Sequence, residues 1–202
     1  MYLRLPTLRE FVHGSRYVLA GTVTRTDTAP DSATGTIVTR VTFRQLAFAK
    51  GSVDDDSLVL RNYGGEYQGS SLEVVGQAHF ERGQRYICFV RGGLGTAQDG
   101  FSPILYGELG VFRVLKDPRT HRSMVATQSG HFVTAVDTAG VSLIVPLNRT
   151  PELADAGFAD SILAMRSGPQ SGESSGVLTE SEMLSGLRRV MAAFAVERSR
   201  VR

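Results

Sequence analysis

The chain has 202 residues, of which 42% are apolar and 21% charged, with a formal net charge of +2. That balance excludes disorder over most of the chain, and a chain this long buries enough surface for a core of its own. A disulfide framework is excluded as well, because Cys88 is the single cysteine.

The charges, 22 Lys and Arg against 20 Asp and Glu, leave little long-range attraction for polyanions, so nucleic acid is not an expected partner. The basic excess is local: Arg188, Arg189, Arg198, Arg200 and Arg202 gather at the C-terminus. It reads as a solvated helix end set against its own dipole, with a polyanion-contacting tail as the sharper alternative. No apolar run approaches the roughly 18 residues of a membrane span. Met1 to Leu8 has neither the apolar stretch nor the cleavage site of a secretory leader.

In chain order, Thr7 and Glu10 fit a capping box and predict a two-turn helix through Phe11 and Val12, closed by Gly14. Tyr17 to Thr26 alternates as a strand, and Thr26 to Gly35 has loop composition. Thr36 to Phe48 is the clearest strand. Ile37, Thr39, Val41, Phe43 and Gln45 share one face; Val38, Arg40, Thr42, Arg44 and Leu46 share the other. Its length predicts a strand that bends around a barrel.

Leu58 to Tyr63 is a further strand, stopped by Gly64-Gly65 and followed by a loop at Gly69 to Gly76. Phe80 to Gly83 turns into a strand at Tyr86 to Val90, and more strands are expected at Pro103–Tyr106, Gly110–Leu115 and Met124–Thr127. Lys116 to Thr120 is a turn through Asp117-Pro118, and Val133–Val136 with Val141–Val145 forms a closing hairpin. Residues 167–176 are Gly- and Ser-rich linker. Thr179 and Glu182 then cap a second helix, whose stripe of Met183, Leu184, Leu187, Val190, Met191 and Phe194 must dock on its own sheet or on a protein partner. The expected division is 1–147 as the β domain, 148–176 as linker and 177–202 as helix.

The chain offers no recognisable bond-making motif. There is no G-x-S-x-G elbow, and Ser15 beside His13-Gly14 does not by itself make a nucleophile–base pair. Cys88 sits in an apolar strand and reads as an inert buried thiol. His13, His79, His121 and His131 lack metal-ligand spacing. A calcium loop starting at Asp54 fails because Val59 and Gly65 stand where a glycine and a closing glutamate are needed. Gly92-Gly93-Leu94-Gly95 is not followed by a helical segment, so it is no phosphate cradle. Asn148-Arg149-Thr150 matches a glycosylation acceptor. No catalytic residue, metal or cofactor is expected.

A set of spaced motifs carries a resemblance. Phe11 to Val23, Thr39-Arg40-Val41-Thr42-Phe43 leading to Lys50-Gly51, Gly64-Gly65, Phe80 to Tyr86 and Gly110-Val111-Phe112-Arg113-Val114 resemble the steps of OB-like, netrin-module-like β-barrels, among them uncharacterised bacterial exported proteins. The resemblance covers about residues 8–127. It implies a barrel fold and an extracytoplasmic location; with the helices read above, the expected fold is mainly β, an antiparallel OB-like barrel with a short N-terminal helix and a C-terminal amphipathic helix. It supplies no catalytic residues. The cysteines on which animal netrin modules and metalloproteinase inhibitors rely are missing, so their inhibitory mechanism does not carry over.

The expected function is therefore a non-enzymatic binding module, with a protein partner meeting the C-terminal helix or the loops Tyr63–Gly76 and Gly92–Gly100. Candidate binding residues are Arg40, Arg44, Arg61, Tyr63 and Tyr67. The first three would form the basic face of a single-strand-binding barrel, an alternative weakened by Phe43 pointing the other way. An enzyme of unrecognised type, built around a concave site at His79, is the other alternative.

Overall fold

A computed structural model describes residues 6–92, 102–117, 121–144 and 176–200. The expected linker 148–176, apart from Gly176, lies outside these residues, as do the glycosylation motif and all of the Gly92–Gly100 loop beyond Gly92. The elements are α1 (Leu8–Gly14), β1 (Tyr17–Pro30), β2 (Ile37–Lys50), β3 (Ser57–Tyr63), β4 (Gly65–Tyr67), β5 (Ser70–Leu72) and β6 (Arg85–Val90). A 3-10 turn (Gly107–Gly110), β7 (Val111–Lys116), β8 (Ser123–Thr127), β9 (Phe132–Asp137), β10 (Gly140–Ile144) and α2 (Glu180–Arg200) follow. Eight strands make one antiparallel sheet in the order β10-β9-β8-β7-β6-β1-β2-β3, and β4 pairs with β5 in a separate two-stranded ribbon. Among the described residues no ladder joins β3 to β10, so the sheet has two ends where the long alternating strands predict closure.

Both helices start as their caps dictate. The Thr7 hydroxyl accepts the Glu10 backbone N–H while the Glu10 carboxylate accepts the Thr7 N–H at 2.7 Å, and Thr179 with Glu182 repeats the arrangement. At the far end of α1, Lys50 donates to the carbonyls of Val12 and Ser15 at 2.6 and 2.5 Å, bringing a cation to the negative end of the helix.

β1 and β2 are each 14 residues long, and bulges let them bend. The main bulge falls between the pairs Ala20–Ala47 and Thr22–Arg44, where Gln45 takes a left-handed φ of 54°. The extra residue reverses the alternation: Val41 and Phe43 share a face with Leu46 and Phe48, while Ala47 and Ala49 join the opposite face. A strict alternation instead places Leu46 opposite Phe43.

The predicted loop from Thr26 is also strand, because β1 stays paired with β2 as far as Pro30 opposite Ile37. The turn is confined to Asp31–Gly35. There one Asp31 carboxylate oxygen accepts the N–H groups of Ala33 and Thr34 and the Thr34 hydroxyl at 3.0–3.1 Å. The expected strand at Pro103–Tyr106 reduces to a single bridge, Ile104 to Val90. Tyr106 turns left-handed, at φ 59°, and Gly107 follows at φ 61°, where a Cβ would collide with the Gly76 carbonyl.

Each face of the sheet carries its own apolar cluster. Val18, Ala20, Ile87, Phe89, Val125 and Val133 pack under α1 and α2, meeting Met183, Leu184, Leu187, Val190 and Phe194. On the other face Leu19, Val41, Phe43, Leu60, Tyr86 and Cys88 are covered by connecting segments carrying Ala78, Phe80 and Ile104. The apolar stripe of α2 therefore docks on the chain's own sheet. Leu178, just before α2, donates to Val133 at 2.8 Å and accepts from Val125 at 3.0 Å, so it sits between β8 and β9, which pair only at Ala126–Phe132.

Candidate functional site

The end of β3 departs from alternation: Leu60, Arg61 and Asn62 are all buried in succession. Leu60 belongs to the core. Arg61 turns to Asp31, with Nη2 to Oδ2 at 2.9 Å, and its guanidinium lies 4.7 Å from the Tyr63 ring centre. Burial opposes ionisation of Asp31, but the hydrogen bonds from Arg61, Thr34 and Ala33 outweigh it and hold the carboxyl below its usual range.

Beyond Tyr63 the chain passes through Gly64 and Gly65 at φ 93° and 125°, and a Cβ on Gly65 would run into the Thr39 and Thr28 side chains. The Thr39 hydroxyl donates to the Gly64 carbonyl at 2.7 Å, tying this crossing to β2. The β4–β5 ribbon follows, and then the segment to Phe80. Between them lies an open cleft of about 340 Å³, lined among others by Thr39, Asn62, Tyr63, Glu66, Gln77 and His79.

Two of the lining residues are buried amides. Asn62 is 5% exposed and Gln77 7% exposed. Among the described residues Asn62 Oδ1 and both amide atoms of Gln77 have no hydrogen-bond partner, although buried polar atoms are nearly always satisfied. The Asn62 Nδ2 group points to the Ala78 carbonyl at 3.5 Å, which leaves the oxygen as the atom without a partner.

Of the residues singled out from sequence, Tyr63 lines this cleft. Arg61 stands behind it, buried against Asp31. Arg40 is directly opposite Arg61 in the β2–β3 ladder but exposed, whereas Arg61 is buried. Arg44, also exposed, lies 3.6 Å from Asp56. Tyr67 is on the ribbon opposite Ser70, outside the cleft lining. The structure thus gathers Arg61 and Tyr63 near one site and leaves Arg40, Arg44 and Tyr67 apart from it. Asn62 and Gln77 escape sequence reasoning because a lone amide has no spacing signature.

His79 borders the cleft, and its backbone N–H and carbonyl are both held by the Gln128 amide at 3.2 and 2.7 Å. Burial pushes the Cys88 thiol far up, so it stays protonated. Among the described residues no group of three His, Cys, Asp or Glu is placed to hold a metal, and no helix is long and apolar enough to cross a membrane.

A second depression, of about 560 Å³, is mainly apolar and lies between α1, the sheet and the β9–β10 turn, with Phe11, Phe89, Phe112 and Val141 in its wall. At its edge Ser129 Oγ approaches His131 Nδ1 to 2.9 Å and Thr127 Oγ1 to 2.9 Å. These contacts brace the β8–β9 turn. No protein-family model, curated protein or solved structure matches the chain.

Proposed function

We propose that the protein is a non-enzymatic binding module of OB-like type whose recognition surface is the cleft beneath the β4–β5 ribbon. The antiparallel run β6-β1-β2-β3, with bulged β1 and β2, supports the OB-like reading, since such folds bind ligands on one sheet face and its adjoining loops. The cleft is formed largely by the Tyr63–Gly76 loop region expected to carry recognition. One observation carries the reading: among the described residues three buried amide atoms of Asn62 and Gln77, both of which line that cleft, lack partners. Unpaired buried polar atoms cost stability, so a fold that keeps them together beside a cavity has reason to do so outside packing.

The test is a nuclear magnetic resonance titration of the isotope-labelled full chain with a mixed set of small polar fragments. Signals of Tyr63 to Phe80 should move saturably. Perturbations confined to the apolar groove, or found nowhere, would overturn the assignment.

A further inference from the structure

We infer that the cleft selects a primary carboxamide, the group at the end of an asparagine or glutamine side chain. This rests on the reading of the cleft as a binding site and adds the chemistry of its ligand. The unpartnered atoms set the complement. Asn62 Oδ1 and Gln77 Oε1 each need a donor, and Gln77 Nε2 needs an acceptor. A primary carboxamide carries two N–H donors and one carbonyl acceptor, which meets all three. A carboxylate brings no donor and an ammonium group no acceptor; a hydroxyl has one hydrogen where two are required.

Charge points the same way. Glu66 and Glu73 line the cleft, among the described residues no lysine or arginine does, and the Arg61 cation is paired with Asp31. An anion would enter against both glutamates without a counter-charge. Size agrees too. About 340 Å³ is near the lower end for a ligand pocket, suited to a group of side-chain dimensions.

The amide atoms are buried, so binding requires the β4–β5 ribbon to lift from the contacts that Gly64 and Gly65 make with Thr39 and Thr28. β4 and β5 pair only with each other and join β3 through Gly64 and Gly65.

The same chemistry has two sources, a polypeptide side chain or a free small amide. The labelled full chain is titrated separately with N-acetylglutamine methylamide, the matching glutamate and methionine derivatives, and propionamide. The glutamine derivative should shift the side-chain NH₂ signals of Gln77 and Asn62, with affinity at least tenfold above the glutamate and methionine derivatives. Propionamide binding as tightly as the glutamine derivative supports a free amide as the source; binding tenfold weaker supports a polypeptide. In a folded Gln77→Met variant the response should disappear. Equal binding of the acid or thioether derivative would overturn the carboxamide assignment while leaving the cleft a binding site. Silence to all four probes, with the polar fragments still mapping to the cleft, would do the same. Loss of the fragment response as well would bring down both readings.

Discussion

Arg85 on β6 and Glu180 in the first turn of α2, 95 positions apart, meet in a two-pronged ion pair, Nε to Oε2 at 2.6 Å and Nη2 to Oε1 at 2.7 Å. The same guanidinium donates through Nη1 to the Gln45 carbonyl at 2.8 Å and to the Thr22 hydroxyl at 3.2 Å. One side chain therefore ties the bulge of β2 to the start of the terminal helix. The pair is largely screened from water, at 23% and 18% exposure, which favours a real contribution over a solvated contact.

Removing this link should loosen both ends. Arg85→Met is expected to cost about 2–3 kcal/mol, more than Glu180→Gln, because it also strands the bulge carbonyl. Urea unfolding of the two variants and their double mutant gives the coupling, expected near 1–2 kcal/mol.

Gln77→Met should move stability the other way. The substitution keeps the length of the side chain and removes two buried amide atoms that have no partner. A rise of about 1 kcal/mol in unfolding free energy, read from urea midpoints, is expected. A fall would assign Gln77 a structural hydrogen bond instead of a ligand-facing one.

The α2 stripe belongs to the core. Leu187 is fully buried, and Leu187→Ala is expected to cost about 2–5 kcal/mol in thermal or urea unfolding. Deleting 179–202 should expose the sheet face under α2 and give an aggregation-prone chain, seen by light scattering, in place of an independent β domain.

Acid should weaken the fold. The Asp31 carboxyl titrates below its usual range because hydrogen bonds outweigh burial, and that of Glu182 does so chiefly through the Thr179 backbone N–H. In the interval between native and unfolded values the unfolded chain binds more protons, so this stability is full above the ordinary carboxylate range and lost as pH falls through the lowered native values. Urea midpoints should fall between about pH 5 and about pH 3, and Asp31→Asn should flatten that slope while lowering the midpoint at neutral pH.

Much of the fold was legible because it depends on local chemistry. Thr7–Glu10 and Thr179–Glu182 announce both helix starts, and alternation marks β2, β3, β6 and β8. The missed parts depend on pairing across distance. The Thr26–Pro30 stretch looks like loop until β2 supplies its ladder, and Pro103–Tyr106 looks like strand until Tyr106 turns left-handed. The β4–β5 ribbon went unseen because three-residue strands in a Gly-rich loop leave too few positions for a period. The cleft was legible in its loop and not in its floor. Arg61 reads as a surface cation only while Asp31, 30 positions earlier, is out of view.

Gln45→Val is the sharpest probe of the bulge. A β-branched residue at φ 54° is strained, so a loss of about 1–2 kcal/mol is expected, against a small change for Gln45→Gly. Calorimetry of the two variants distinguishes backbone strain from loss of the exposed Thr22–Gln45 contact at 3.1 Å.

Gln45 acts like a change of reading frame written into the backbone. Upstream of it Val41 and Phe43 look toward Leu60 and Tyr86; downstream Leu46 and Phe48 do, leaving Ala47 and Ala49 to offer small, shallow surfaces to the helical layer. Comparing this strand with another by hydrophobic rhythm alone would slip by one residue halfway along. Any relative that shares the fold without the extra residue must therefore exchange large and small side chains across the stretch from Leu46 to Ala49.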